Sequence, residues 1–236
     1  MKVGVVIPCH NYGHWLNDAI RSVLDQTYEQ KKIVISVCDD GSQDNTSNVV
    51  QSYGNKIIFS RHEQPLGPSA ARNTAIANCI NDVDVIALLD ADDIMHPTKL
   101  EILTHLFQMD DVGAVYADTQ NLVEERYLIR EFREPFNMRR AIQENIGLNN
   151  TSLVRVKALN SGMLSPNEWF DNSLRTCEDY DLFLRISNNW LIVHYPECLT
   201  TLRVHGNNST ASVSQSRWSD DRRRVIERFL NAKQSI

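Results

Sequence analysis

The sequence predicts an α/β fold with a mainly parallel central sheet, and three observations carry that prediction. Through the first half of the chain, short β-branched apolar runs alternate with stretches of helical periodicity, the pattern of strands covered by crossover helices. The run Val85-Ile-Ala-Leu-Leu89 breaks off into Asp90-Ala-Asp-Asp93, as expected of a buried parallel strand that delivers carboxylates into a crevice at its carboxyl end. A second run, Ile33-Val-Ile-Ser-Val-Cys38, ends the same way in Asp39-Asp-Gly-Ser42.

Composition bounds what such a fold can do. With 236 residues, 42% of them hydrophobic, the chain can bury a full core and fits a single domain over 1–236 better than two. It has no 18-residue apolar run, and polar residues arrive at Pro8-Cys-His-Asn11, too soon for a signal peptide; a cytoplasmic protein is expected. The five cysteines show no Cys-x-x-Cys pair, so neither a disulfide framework nor a zinc site is suggested. The Asn-x-Ser/Thr triplets at Asn45, Asn149, Asn150, Asn207 and Asn208 carry little meaning in a protein that is not secreted. A net charge of −6 argues against a nucleic-acid partner. It also means that any diphosphate ligand must be drawn in by a local arginine, a helix N-terminus or a bound cation.

In chain order, Lys2–Pro8 reads as a buried strand, and Trp15, Leu16, Ala19, Ile20, Val23 and Leu24 recur at helical spacing within His14–Gln26. The second strand, Ile33–Cys38, precedes a helix near Asp44–Tyr53. Ile57–Phe59 is a third strand, and Gly67-Pro68 turns the chain into a helix running to about Ile80, with Ser69 as a candidate N-cap. Arg72 falls in the first turn of that helix, where a cation opposes the dipole. An anionic ligand would explain its position, and so would a salt bridge to a neighbouring Asp. After the acidic strand end come an amphipathic helix, Thr98–Met109, and a strand, Val112–Tyr116. Ala117–Phe136 has the pattern of a hairpin, Phe136–Ile146 of a helix and Thr151–Val154 of a short strand. Glu178-Asp-Tyr-Asp181 opens a further amphipathic helix, and Leu191–Tyr195 and Leu199–Val204 read as strands. A terminal helix, Arg217–Ala232, carries Arg222-Arg-Arg224, expected as a solvated face or, with Trp218, a weak membrane-surface contact.

The acidic clusters admit two readings each. Asp90 and Asp92 form an Asp-x-Asp pair of hard oxygen ligands suited to Mg²⁺ or Mn²⁺, or a solvated loop before a helix. Asp39 and Asp40 are either site residues or part of an Asp-Gly turn in which Ser42 or Asp44 caps the next helix. Thr176-x-x-Asp179 has the form of a capping box. His205, in a polar loop after a strand, is either structural or within reach of a metal or phosphate.

Seven segments in order, spanning roughly residues 3–209, carry a resemblance. They are Val5-Val-Ile-Pro-Cys-His-Asn11, Ala19–Tyr28, Cys38-Asp-Asp-Gly-Ser-Gln-Asp44, Gly67-Pro-Ser-Ala-Ala-Arg-Asn73, Leu89-Asp-Ala-Asp-Asp93, Glu178–Arg185 and Arg203-Val-His-Gly-Asn-Asn-Ser209. Together the set resembles glycosyltransferase family 2, the inverting nucleotide-diphospho-sugar transferases of GT-A architecture. That resemblance implies a Rossmann-like three-layer α/β/α sandwich with a nucleotide-sugar-binding half (about 1–118), an acceptor-binding and catalytic half (about 119–210) and a C-terminal helix (211–236). It implies transfer of a sugar from such a donor to a hydroxyl of a glycan or lipid-linked acceptor, with Mn²⁺ or Mg²⁺ as cofactor and, for a lipid-linked acceptor, work at the membrane's inner face.

Residue by residue, it makes Asp179 the catalytic base and Asp92 the principal metal ligand, with Asp90 and His205 assisting. Pro8, His10, Asn11, Asp39 and Asp40 would line the nucleotide pocket, and Arg72 would lie near the diphosphate. The family's first motif usually reads Pro-Thr-Tyr-Asn, whereas Cys9 and His10 stand at its middle positions here. Residues 120–175 match no motif, so the acceptor stays open. Two other classes fit less well. A sugar-phosphate nucleotidyltransferase would need a glycine-rich loop after the first strand, where Pro8–His14 has one glycine; a non-catalytic sugar-nucleotide binding protein would have no use for Asp92 and Asp179.

Overall fold

The computed structural model describes residues 1–124, 126–143, 151–206, 208 and 213–234. The first half builds as its sequence suggests: β1 (Val3–Cys9), α1 (Gly13–Leu24), β2 (Ile33–Asp39), α2 (Thr46–Gln51), β3 (Ile57–Arg61), α3 (Pro68–Ala77) and β4 (Val85–Leu88). β1 pairs in parallel with both β2 and β4, and β2 with β3. β1 and β4 are buried almost throughout because helices cover both faces of the sheet. On one face Leu16, Ala19, Ile20 and Val23 of α1 join Val5, Ile7 and Ala87. On the other, Ala71, Ala75 and Ile76 of α3 pack on Val6, Ile86 and Leu88. Each fully buried Val, Leu or Ile among them contributes about 1.5–3 kcal/mol.

The second half departs from simple alternation. A two-residue strand, β5 (Ile94–Met95), follows the acidic turn, and α4 (Lys99–His105) ends in a 3₁₀ turn rather than running to Met109. β6 extends from Val112 to Val123, turns into β7 (Tyr127–Glu131) as the expected hairpin, and is followed by α5 (Met138–Gln143), β8 (Leu153–Arg155) and α6 (Val156–Ser161). α7 (Glu178–Ile186), β9 (Leu191–Val204) and α8 (Gln215–Gln234) complete the order. The two strands expected at 191–195 and 199–204 are one, its register with β6 broken by irregularities around Ala117–Thr119.

Among the described residues the sheet has nine strands in the order β3-β2-β1-β4-β8-β6-β9-β5, with β7 on β6. The short β8 runs antiparallel between β4 and β6, so β6 is not the parallel neighbour of β4 that strict alternation implies. β6 and β9 are parallel, and β5 closes antiparallel on β9. That last pairing brings the end of β9 back beside the acidic turn after β4. β7 leaves Leu128 and Ile129, with the following Phe132, exposed.

Arg223 and Arg224 of α8 are exposed, as expected of a solvated face, while Arg222 is half-buried and the opposite side of the helix packs on α7. Val225 and Phe229 bury against Tyr180 and Leu184 of α7, and the half-buried Trp218 packs on the edge of the same cluster. Arg222 donates to the Ile142 carbonyl, Arg223 bonds Asp220, and Arg224 reaches Ser173 and Asp221. The end of the helix expected over 136–146, the triplets at Asn149, Asn150 and Asn207, and Asn207 and Ser209 of the 205–209 loop lie outside the described residues.

Candidate active site

The carboxyl ends of β1, β2 and β4 supply three turns. After β4, carboxylate oxygens of Asp90, Asp92 and Asp93 lie within 4.8 Å of one another. Asp92 and Asp93 are 7% and 4% exposed, and burial together with the neighbouring acids pushes both carboxyls up, Asp93 far up. His205 Nε2 lies 3.1 Å from Asp92 Oδ2, the same oxygen that accepts from Asn208 Nδ2 at 3.3 Å. Oxygen ligands crowded at this range, with Asp92 and Asp93 resisting ionisation because they are buried beside other acids, fit a hard divalent cation. Asp90, Asp92 and His205, singled out in the sequence, are thus gathered in one place.

Arg72 joins this turn to the start of α7. Its guanidinium donates to Asp90 Oδ1 at 2.9 Å and to Glu178 Oε1 at 2.7 Å, and it lies 5.5 Å from the Phe170 ring centre. Burial opposes its charge, but Asp90 and Glu178 outweigh that and hold it protonated. The salt-bridge reading of Arg72 is therefore correct in this state of the chain. It is also informative, since one side chain links elements 106 residues apart.

α7 does not begin with a capping box. Cys177 stands at its N-cap with φ 61°, a left-handed conformation that a cysteine adopts at a cost of about 1–3 kcal/mol. Thr176 turns away, its hydroxyl and amide both donating to Asp221 Oδ2 of α8, which also accepts from the Arg175 amide. Asp179 Oδ1 accepts the adjacent Tyr180 amide at 2.7 Å. It remains partly exposed, while burial and the adjoining Glu178 push its carboxyl up to about 7. Asp181, by contrast, is neutralised by Arg185 and Arg228.

The turn after β2 is held differently. Asp39 accepts from the Ser42 amide at 2.8 Å, from Ser47 Oγ at 2.9 Å and from Arg61 at 2.5 Å. Asp40 accepts from the Leu66 and Gly67 amides, both at 2.8 Å, and pairs with His62 Nδ1 at 2.7 Å. A carboxylate offers about four acceptor positions, so each has roughly one left for a ligand. Gly41, at φ 68°, makes the turn; a Cβ there would sit 2.8 Å from the Gln64 backbone. Asp40 thus fixes the entry to α3, whose N-cap is Gly67 with Pro68 first, so Ser69 is not the cap. Ser42 does not cap α2, but Asp44, just ahead of the Asn45 N-cap, accepts the amide of its first residue, Thr46, at 3.0 Å.

Pro8 lies in β1 opposite Cys38. His10 donates from Nδ1 to the Asp40 carbonyl at 2.6 Å, which leaves Nε2 to accept from Asn11 Nδ2 at 3.0 Å. Asn11, at φ 59°, donates its amide to Ser42 Oγ and accepts the Gln43 amide on Oδ1. The nucleotide-side residues expected from the sequence therefore form one connected rim.

Other site residues escaped the sequence reading. Glu178 holds Arg72, and Asp93 belongs to the carboxylate group. Lys99, fully buried, bonds Thr200 Oγ1 at 2.8 Å, and burial pulls its ammonium down to about 7 against the opposing pull of Asp93. A lysine on the apolar face of a predicted helix was the available signal. Arg203 donates to the Asp92 carbonyl and Asp18.

Comparison with known proteins decides the family. The sequence profile described as Glycosyl transferase family 2 matches residues 4–163. The chain belongs to glycosyltransferase family 2. An uncharacterized glycosyltransferase of Rickettsia felis is 30% identical over 90% of this chain and 36% of its own length. Chondroitin synthase of Escherichia coli is 27% identical over 88% of this chain and 30% of its own length. The Escherichia coli enzyme named UDP-Glc:alpha-D-GlcNAc-diphosphoundecaprenol beta-1,3-glucosyltransferase WfgD is 29% identical over 78% of this chain and 69% of its own length. The chain spans about a third of the length of the first two Rickettsia relatives it matches.

Among solved structures, Staphylococcus aureus TarS 1–349 in complex with UDP-GlcNAc superposes over the whole chain and 73% of its own, with a TM-score of 0.76 at 18% identity. The mannosyltransferase PcManGT of Pyrobaculum calidifontis, in complex with GDP-Man and Mn²⁺, gives 0.68 at 15% identity, over the whole chain and 64% of its own. The fold is that of the GT-A transferases, a mostly parallel sheet with some antiparallel pairs. Among the described residues no helix is long and apolar enough to cross a membrane.

Proposed function

We propose that this chain transfers a hexose, with inversion, from a nucleotide-diphospho-sugar to a hydroxyl of a glycan or lipid-linked acceptor, and that it requires Mn²⁺ or Mg²⁺. One observation carries this reading: the Arg72 guanidinium touches Asp90 and Glu178 at once. The acidic turn that would hold a cation and the helix start that carries Asp179 therefore face a common space.

Asp92, with Asp90 and His205, would hold the cation, which when bound supplies positive charge against the leaving diphosphate. Asp39, Asp40, Pro8, His10 and Asn11 would seat the nucleotide, and Arg72 would add fixed positive charge beside the phosphates. Asp179 acts as the base. Its carboxylate takes the proton from the acceptor hydroxyl as that oxygen attacks the anomeric carbon from the face opposite the departing nucleotide. A carboxyl raised to about 7 suits that task better than an ordinary aspartate, because its basicity matches the working pH. Attack from that side inverts the anomeric centre, and no covalent enzyme intermediate is needed. A lipid-linked acceptor would bring the protein to the inner face of a membrane.

The test is a thermal-shift screen of nucleoside diphosphates and their sugars with Mn²⁺, followed by product analysis with the donor that raises the melting temperature most. Release of nucleoside diphosphate supports the reading. Release of pyrophosphate from a nucleoside triphosphate and a sugar phosphate would replace it with nucleotidyl transfer. Donor binding without turnover over a broad acceptor panel would replace it with a binding role.

A further inference from the structure

Trp15 stands outside all three buried apolar clusters, although a half-buried indole in the first turn of α1 would ordinarily pack on the core. Its neighbours are aromatic. The His205 ring lies 4.0 Å from it, centre to centre, at an interplanar angle of 31°, and His14 lies 4.0 Å away at 46°. Tyr12 meets both Trp15 and His205 edge-on, at 5.3 and 5.5 Å. One turn further along the same helix face, Asp18 accepts from Arg203 at 2.7 Å. Arg203 in turn donates its amide to Asp93 Oδ1 at 3.2 Å and its guanidinium to the Asp92 carbonyl at 3.1 Å. The end of β9 is thus fastened to α1 twice, through Asp18–Arg203 and through Trp15–His205, while the same segment touches the acidic turn.

We infer that Trp15 is a positioning residue: its indole face fixes the plane of the His205 imidazole so that Nε2 points at Asp92. This inference rests on the reading that His205 belongs to the cation site. An imidazole in a polar loop has two rotatable side-chain bonds, and a stacked ring on one side removes most of that freedom before any ion arrives. The Asp18–Arg203 pair sets the height of the loop, and Trp15 sets the direction of the ring.

Mn²⁺ affinity of the full chain, measured by counting free Mn²⁺ with electron paramagnetic resonance and no donor or acceptor present, tests this without relying on turnover. The variants are Trp15→Ala, Trp15→Phe, His205→Ala and the double Trp15→Ala/His205→Ala, each checked for native circular dichroism. Trp15→Ala and His205→Ala should each weaken Mn²⁺ about tenfold, Trp15→Phe should recover most of the loss, and the double variant should be no weaker than His205→Ala alone. Losses that multiply in the double variant would show that Trp15 does not act through His205, and overturn the inference. Unchanged affinity in Trp15→Ala with a loss in His205→Ala would overturn it and leave the cation-site reading standing. Unchanged affinity in His205→Ala would remove both. Should Trp15→Ala not fold, the comparison of Trp15→Phe with Trp15→Leu replaces it: the aromatic variant must bind Mn²⁺ more tightly, and equal affinity overturns the inference.

Discussion

Two strand ends in this protein carry consecutive acids, and they are opposite in physical character. The carboxylates after β2 are largely satisfied from within the chain: Asp39 by Ser42, Ser47 and Arg61, Asp40 by Leu66, Gly67 and His62. Those after β4 crowd one another, and burial and mutual repulsion hold the carboxyls of Asp92 and Asp93 toward their protonated forms. In the sequence both appear as an apolar run ending in aspartates. The first is a structural hinge with an acceptor position left over; the second is a set of crowded oxygens whose mutual repulsion a divalent cation would relieve. What separates them is that each acid after β2 faces three donors, whereas those after β4 also face one another, and this arrangement is visible only in the fold.

The third acidic segment, at α7, gives the largest expected effect. Asn preserves the shape of Asp179 and can still accept the Tyr180 amide, but it cannot take a proton. Asp179→Asn should fold, bind donor normally and transfer sugar at least about 100-fold more slowly in a steady-state assay. The wild-type rate should rise with pH up to about 7 and then level, since only the ionised carboxylate is a base and burial beside Glu178 delays ionisation to that value. The sign for stability is the reverse. The folded chain keeps this proton while an unfolded aspartate loses it near pH 4, so the contribution of Asp179 to stability is greatest below pH 4 and falls as pH climbs to about 7. Above pH 7, Asp179→Asn should therefore melt no lower than wild type. A mutant with near-normal transfer rates would falsify the assignment and turn attention to Glu178.

Next in size is the contrast between the two acidic turns themselves. Asp92→Ala should abolish the dependence of donor binding on a divalent cation; equal donor affinity for the wild type with Mn²⁺ and with chelator, by calorimetry, would dissolve the contrast from the start. Without metal, Asp92→Asn should hold or raise the melting temperature, because it removes a charge that the fold resists. Asp40→Ala should do the opposite. It leaves the Leu66 and Gly67 amides and His62 without their acceptor, at a cost of about 3 kcal/mol, read as a lower urea midpoint. If Asp40→Ala and Asp92→Asn move the midpoint equally, the two turns are not physically distinct. The smallest effect is expected at the bridge between regions. Arg72→Lys keeps a charge but not the fork that spans Asp90 and Glu178, so diphosphate-containing ligands should bind several-fold more weakly while the free nucleoside is unaffected. Equal loss for both would remove the phosphate role.

Much of this was legible in the sequence because it is local. β1, β2 and β4 announce themselves by apolar runs, α1 by the spacing of Leu16, Ala19, Ile20 and Val23, and the acids by their position at strand ends. The insertion of β8 between β4 and β6 was not legible, since Leu153–Arg155 is too short to declare a direction. Glu178 and Arg203 were missed as site residues for a related reason: each finds its partner about a hundred residues away, and nothing near either residue hints at the pairing. The capping box failed because Asp221, from a different helix, outcompetes Asp179 for the donors ahead of α7.

Lys99 has a consequence for how the protein is made. An amine sealed beneath the acidic turn, bonded to Thr200, lowered to about 7 by burial and drawn back toward its charged form by Asp93, supplies part of a counterion from within the chain. The turn can therefore assemble on the nascent chain without waiting for a divalent ion, and removing such ions from the growth medium should lower activity without lowering the yield of folded protein.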